Sequence, residues 1–223
     1  MSGGKYPRTY HVPFSPGATS DDRICQDWAA ILAHELVLTE KLDGENSCLK
    51  RQGVYARSHG APTRNPWAQN LWPIWERVAP HLGDLELFGE NLFAIHSIEY
   101  HPLYAHFYVF AMREGDTWLS WDEVCFYAGV LDLPTVPVIG RGQWDEDGLR
   151  AAIDAHMTAG SCLGGGPTEG LVARVAGTVA DDDFSTHVLK YVRADHVTTD
   201  EHWTRRWRRA PLAGEHPDGG ADA

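Results

Sequence analysis

Residues 39–46 read Thr-Glu-Lys-Leu-Asp-Gly-Glu-Asn, so Lys41 directly follows Glu40 and stands just ahead of an Asp43-Gly44 pair. An amine acts as a nucleophile only when neutral, and an ordinary lysine, with a pKa of about 10.4, is almost wholly protonated near neutral pH. Burial, a neighbouring cation or a metal must favour the neutral form. An edge strand running into a turn explains the same residues without chemistry, because Asp-Gly is a strong turn signal. Lys41 therefore gains meaning only from partners elsewhere in the chain.

Those partners occur in order. After Glu-Lys-Leu-Asp-Gly-Glu-Asn at 40–46 come Ala-Arg-Ser-His-Gly at 56–60, Leu-Phe-Gly-Glu-Asn at 87–91 and Phe-Tyr-Val-Phe at 107–110. Glu-Gly-Leu-Val-Ala-Arg at 169–174 and Leu-Lys-Tyr-Val-Arg at 189–193 complete the set. Singly, each is a turn, a strand end or a piece of core. Together and in this order they resemble the motifs of the covalent nucleotidyltransferases, the superfamily of ATP-dependent ligases and capping enzymes. The asparagine of Lys-Leu-Asp-Gly-Glu-Asn and the aromatic run before Ala111 bring the resemblance closer to the RNA ligase 2-like and RNA-editing ligases of the RNA ligase family.

The resemblance implies that Lys41 attacks the α-phosphorus of ATP, giving lysyl-AMP and releasing pyrophosphate. It places Glu40 near the adenine edge, where a carboxylate accepts from the exocyclic amine and so favours ATP over GTP. Asp43 and Gly44 would shape the turn beside ribose and phosphate, and Asn46 would serve the later strand-joining step. Arg57 would contact ribose or a nucleic-acid 5′-phosphate, for which a planar guanidinium is suited. Glu90 would bind the ribose hydroxyl or a hydrated metal, Phe110 would stack on adenine, and Glu169 would hold Mg²⁺ (or Mn²⁺). Arg174 matches a position that is often lysine. Lys190 would contact the α-phosphate and stabilise its developing charge. Two departures accompany the match. Relatives usually carry Lys-x-Lys where this chain has Lys190-Tyr191-Val192 followed by Arg193, and Ala111 stands where relatives commonly have aspartate. Moving the second cation by one residue reverses its face on a strand.

Alternating apolar residues predict strands in Leu-Val-Leu-Thr-Glu-Lys-Leu (36–42), Ser-Cys-Leu-Lys-Arg (47–51), Val-Tyr-Ala-Arg-Ser (54–58), 84–93, 106–112, 135–140, 169–175 and 187–193. Helical spacing and capping residues predict helices over 20–35, within 65–82 with a break or restart at Pro73, from Ser120, over 145–157 and over 200–209. Strands and helices mix without regular βαβ alternation, which gives an α+β class with mostly antiparallel sheets. By resemblance this is an adenylyltransferase (ATP-grasp-like ligase) domain over residues 1–209, with a disordered tail over 210–223. Too few residues follow Lys190 for the five-stranded OB barrel of DNA ligases and capping enzymes, so a minimal one-domain ligase is expected.

Composition sets the remaining bounds. A net charge of −12 means that any nucleic-acid surface is a confined basic patch. The arginines at 205, 206, 208 and 209 form the densest such cluster, which is equally suited to a solvated helix end. Four scattered cysteines, with no Cys-x-x-Cys pair, read as reduced thiols rather than a disulfide or zinc framework. Twelve histidines supply no ligand set, and only His59, beside Arg57, is placed near the site. No signal peptide or membrane-spanning run is visible, which suggests a soluble cytoplasmic protein. The expected activity is ATP- and Mg²⁺-dependent sealing of RNA 5′-phosphate and 3′-hydroxyl ends through lysyl-AMP and RNA-adenylate. Expected partners are those RNA ends, with an end-healing kinase or phosphatase possible alongside. A DNA ligase, a GTP-using capping enzyme and a non-catalytic binding module are the alternatives.

Overall fold

The computed structural model describes residues 5–57, 60–164, 166–194 and 207–215. Its strands are β1 (Tyr10–His11), β2 (Leu36–Lys41), β3 (Glu45–Lys50), β4 (Gly53–Ala56), β5 (Leu85–Asn91), β6 (Phe107–Glu114), β7 (Thr117–Trp118), β8 (Val138–Gly142), β9 (Gly170–Val175), β10 (Val179–Ala180) and β11 (Val188–Val192). Its α-helices are α1 (Leu71–Leu82), α2 (Trp121–Val130), α3 (Glu146–Ala159) and the single turn α4 (Phe184–His187). The strands form a five-stranded sheet in the order β1-β11-β9-β2-β8 and a six-stranded sheet in the order β10-β7-β6-β5-β3-β4. Every pairing is antiparallel except the short parallel one between β1 and β11. This is the expected α+β architecture.

Alternation decides what each sheet buries. Leu36 and Leu38 of β2, Leu171 and Ala173 of β9 and Leu189 of β11 share the back of the first sheet, where they pack on Leu149 and Ile153 of α3 and on Trp28 and Ile31. In the second sheet Leu49, Leu87, Phe88 and Met112 are fully buried in a core that also takes Leu71, Val78 and Leu82 from α1 and Val124 and Ala128 from α2. The chain passes from one sheet to the other immediately after Lys41, through residues 42–44 into β3. The opposite face of β2, carrying Thr39 and Lys41, thus looks onto the space beside the second sheet.

Local signals fix the helix ends. Ser120 and Glu123 form both arms of a capping box at the start of α2: the Ser120 hydroxyl accepts from the Glu123 N–H, and the Glu123 carboxylate accepts from the Ser120 N–H. Asp145 caps α3 by accepting from the Gly148 N–H at 2.8 Å. Pro73 falls in the first turn of α1, where no intrahelical N–H is needed, so the helix starts two residues earlier and continues unbroken through it.

The structure departs from expectation in three places. Residues 20–27 are not helical, and only Trp28–Ala33 forms a 3₁₀ helix. The backbone there pairs with β1 instead: His11 N–H donates to Arg23 O, and Cys25 N–H donates to His11 O. The Asp22 side chain meanwhile turns back to Thr19, a local alternative that competes with helix formation. The domain also extends past residue 209. Ala210 N–H donates to Phe93 O, Ala213 N–H donates to Leu103 O, and Ala210 is buried, so residues through 215 dock on the β5–β6 connection. Of the helix expected over 200–209, residues 200–206 lie outside the described residues; 207–209 are not helical, and Arg209 bridges to Ala94. Among the described residues no helix is long and apolar enough to cross a membrane.

Candidate active site

A cleft of about 850 Å³ opens between the sheets. Nine of the residues singled out in the sequence line it: Glu40, Lys41, Asn46, Arg57, Glu90, Phe110, Arg174 and Lys190, with Gly44 from the turn. Asp43 and Glu169 stand directly behind that lining. Sheet register explains the convergence. Lys41 is level with Gly170 across β2 and β9, and Val172 lies between Thr39 on one side and Lys190 on the other. On the second sheet Asn46 and Glu90 are directly paired across β3 and β5.

Lys41 Nζ lies 2.6 Å from Glu169 Oε2. Burial disfavours the ammonium, yet Glu169, Glu90 and Asp43 outweigh it and hold Lys41 above its ordinary pKa. In this form of the protein the candidate nucleophile is thus a paired ammonium, so the neutral amine needed for attack requires Glu169 to be engaged elsewhere. Glu90 accepts from the Gly44 N–H at 3.1 Å. Burial, reinforced by Glu169 and Asp43 and only partly offset by Lys41, pushes its pKa up to about 8. Lys190 is shifted the other way, because burial and the nearby Lys41 charge outweigh Asp22 and Glu169.

Two motif glycines have steric causes. A side chain on Gly170 would collide with the Tyr191 carbonyl, and a Cβ on Gly44 would meet the Asn91 carbonyl at 2.6 Å. The Glu-Gly and Asp-Gly pairs therefore hold their acidic residues where strands approach most closely.

Other residues occupy places the sequence did not specify. The Asp43 carboxylate accepts from the backbone N–H groups of Ser97 and Ile98 at 2.7 and 2.9 Å, and the Asp43 N–H donates to the Tyr100 hydroxyl at 2.7 Å. It braces the turn after Lys41. Glu40 is fully buried, with Oε2 accepting from the Cys162 N–H at 2.8 Å and Oε1 without a hydrogen-bond partner among the described residues. Asn46 Oδ1 is likewise buried and unpartnered. Phe110 is the extra residue where the β5–β6 register shifts, between Phe88↔Ala111 and Gly89↔Val109. A bulge re-aims a side chain in this way; Phe110 both lines the cleft and packs edge-on against Tyr6.

Arg174 is tied down. Its guanidinium donates to the Phe110 carbonyl and, at 3.3 Å, to the Thr39 hydroxyl, and it lies 5.1 Å from the Trp121 ring centre. It props the wall carrying Phe110. Val192, where relatives carry a second lysine, is buried, and its N–H and C=O are taken by Ser15 and Gly17. Arg193 follows with its N–H donating to the Glu169 carbonyl at 3.0 Å, and it does not line the cleft.

Sequence reading missed one whole wall. Tyr6, Pro7, Arg8, Thr9, Asp21 and Asp22 line the cleft from the N-terminal side, and His96 lines it from the β5–β6 connection. No local signal marks them: β1 is two residues long and is fixed by its pairings with β11 and with residues 23–25. His59 lies outside the described residues. Among the described residues no group of three or more His, Cys, Asp or Glu side chains could hold a metal. Glu90 and Glu169 fit a magnesium-type ion only in company with ligand oxygens, which is how such ions are commonly held beside phosphates.

The chain matches the RNA ligase family over residues 34–192, a span from β2 through β11 that contains Glu40, Lys41, Asp43, Asn46, Arg57, Glu90, Phe110, Glu169, Arg174 and Lys190, and it belongs to that family. Solved structures share the fold. An archaeal ATP-dependent RNA ligase is 20% identical with a TM-score of 0.56, covering 85% of this chain and 48% of its own. A Naegleria gruberi RNA ligase variant with ATP and Mn is 15% identical with a TM-score of 0.58, covering 89% and 58%. A protein of Aquifex aeolicus provisionally named an ATP-dependent DNA ligase is 20% identical with a TM-score of 0.55, covering 85% and 50%. This chain thus spans about half the length of the first of these neighbours. Comparison with curated proteins gives no match.

Proposed function

We propose that the protein is an ATP-dependent ligase that joins RNA 5′-phosphate and 3′-hydroxyl ends through a covalent lysyl-AMP. The observation that carries this reading is the setting of Lys41: a lysine in the cleft, 2.6 Å from Glu169, beside Glu90, with Lys190, the second lysine of the lining, on the same sheet face. The cleft has parts that suit a nucleotide. Phe110, Val136 and Val172 offer apolar contact for a base, Lys41, Lys190, Arg8 and Arg57 offer charge for phosphates, and Glu40 Oε1 and Asn46 Oδ1 are buried acceptors awaiting donors.

In the first step the Lys41 amine forms a P–N bond to the α-phosphorus of ATP as the bond to pyrophosphate breaks, and the amine loses its proton. Lys190 stabilises charge on the α-phosphate oxygens. Glu90 and Glu169 would hold a divalent cation, Mg²⁺ or Mn²⁺, together with phosphate oxygens, and such an ion supplies Lewis-acid stabilisation of the same charge. Drawing Glu169 away from Lys41 removes the pairing that keeps the amine protonated. An RNA 5′-phosphate then takes the AMP as the P–N bond breaks. Finally a 3′-hydroxyl attacks the activated 5′-phosphorus and expels AMP, the step at which Asn46 acts. The Glu40 carboxylate supports ATP over GTP. RNA ends are the partners of this chemistry, a role in RNA repair follows from them, and an end-healing kinase or phosphatase would prepare ends of other kinds. The four free cysteines accord with a cytoplasmic setting.

The test is incubation with α-labelled ATP and, separately, GTP, followed by denaturing electrophoresis and mass spectrometry, then addition of 5′-phosphorylated RNA or DNA nicks. Label from ATP on Lys41, lost in Lys41→Ala and passed to RNA, is the expected result. Label on another lysine, or transfer to DNA alone, overturns the reading.

A further inference from the structure

The N-terminal wall of the cleft carries a connected set of polar side chains with no part in the chemistry above. Asp22 Oδ2 accepts from both the backbone N–H and the hydroxyl of Thr19, at 3.1 and 3.0 Å. Asp22 Oδ1 lies 3.4 Å from Lys190 Nζ and 3.3 Å from His11 Nε2. His11 is buried, and its Nδ1 is 2.8 Å from the Ser15 hydroxyl. The Ser15 oxygen accepts from the Val192 N–H at 2.9 Å, and its hydroxyl donates to the Val192 carbonyl at 3.3 Å. The contacts thus leave β11 at Val192, pass through Ser15, His11 and Asp22, and return to β11 at Lys190.

We propose that Asp22 is a positioning residue for Lys190, supplying the counter-charge that keeps it an aimed cation, and that Thr19 holds Asp22 in place beside the buried His11. The inference rests on the adenylyl-transfer reading for what Lys190 meets, but not for the arrangement itself. Asp22 is the fixed partner, held by Thr19 and flanked by His11. Lys190 is the adjustable one: its contact is long, and an ammonium has three donors, so hydrogens remain for a phosphate oxygen. The charged and titratable groups facing Lys190 are Asp22 and His11 from the N-terminal segment, Lys41 from β2 and Glu169 at the entry to β9. Glu169 is already bonded to Lys41, which leaves Asp22 as the anion given over to Lys190. His11 does not compete as a second cation, because burial and the Lys190 charge hold its pKa below the ordinary value. Asp22 stays ionised, its carboxyl held low by the Thr19 hydrogen bonds and by Lys190 against the opposing effect of burial.

The experiment uses the full chain. The titration of Lys190 is followed by NMR of ¹⁵N-labelled lysine, assigned with Lys190→Arg, and lysyl-AMP formation is measured over ATP concentration and pH. Asp22→Asn is expected to lower the Lys190 midpoint by about one pH unit or more. It should raise the ATP concentration for half-maximal labelling roughly ten-fold at pH 8, with a smaller effect on the rate at saturation. Adding Lys190→Arg, which stays charged, should flatten the alkaline loss in the double variant. Thr19→Val, a milder change that only loosens Asp22, should shift both readouts less and in the same direction, and it decides the matter if Asp22→Asn does not fold. An unchanged Lys190 midpoint in Asp22→Asn and Thr19→Val, or an alkaline loss that persists with arginine at 190, overturns the proposal. A wild-type protein that forms no lysyl-AMP would sink the adenylyl-transfer reading, while the NMR titration would still decide the role of Asp22.

Discussion

Lys41 and Glu90 show how one cleft can push two groups away from their ordinary protonation for different reasons. Lys41 is stabilised as a cation by three carboxylates, whereas Glu90 is pressed toward its neutral form because burial and two neighbouring acids outweigh the lysine. The consequence for stability has a definite sign. Glu90 has an unfolded value near 4.5 and a folded value of about 8. Between those limits the folded protein keeps a proton that the unfolded chain has lost, so stability falls as pH rises through that window. With a chelator present and no nucleotide, Glu90→Gln should therefore melt higher than wild type at pH 8.5, and the gap should shrink toward pH 5. A gap constant over that range would show that Glu90 is ionised throughout. The residue types were legible because each motif pairs a chemical group with a glycine or a strand end. The Lys41–Glu169 pairing was not, since residues 128 positions apart meet only through the β2–β9 register. The partners of Asp43 were not legible for a related reason: Ser97, Ile98 and Tyr100 all lie in the β5–β6 connection, which carries no repeating pattern to read.

At the scale of elements, the turn between β2 and β3 depends on that connection. Asp43 receives two backbone N–H groups, of which that of Ile98 is part-buried and that of Ser97 is exposed to water, so Asp43→Ala should cost about 1–2 kcal/mol of stability. Asp43→Asn retains an oxygen able to accept both bonds and should cost about half as much, with lysyl-AMP formation reduced in proportion. Thermal or denaturant melts of both variants, beside labelling rates, test this. If Asn is as damaging to labelling as Ala while the fold survives, the negative charge itself acts in the chemistry. The long strands β2, β5, β6, β9 and β11 were readable because alternation over five or more residues is hard to mistake. The helix expected at 20–35 had good capping residues and acidic first-turn positions, and it lost to tertiary pairing with β1. That loss matters for function, because the same non-helical segment brings Asp21 and Asp22 to the cleft.

At the scale of the whole molecule, charge opposes the proposed RNA substrate. A chain of net charge −12 repels RNA at long range, so affinity must come from short contacts near the cleft. Of the four arginines that looked most basic in the sequence, Arg208 pairs with Glu99 at 3.1 Å, and Arg209 forms two 2.8 Å bonds to Glu215; Arg205 and Arg206 lie outside the described residues. Arg208 and Arg209 thus spend their charge on the docked 207–215 segment, whereas Arg8 and Arg57 line the cleft. Phosphate contacts on a single strand make log affinity fall with log salt by about 0.7 per contact. ATP, enclosed by the cleft residues, is screened less than an RNA strand crossing its rim. Between about 50 and about 200 mM salt, end joining should therefore decline steeply while lysyl-AMP formation declines little. Arg57→Ala should flatten the salt slope of joining by about one contact, whereas Arg208→Ala with Arg209→Ala should leave the slope unchanged. The measurement is both steps for each variant over a salt series. A slope that flattens with the second pair instead would move the RNA path from the cleft rim to the C-terminal segment.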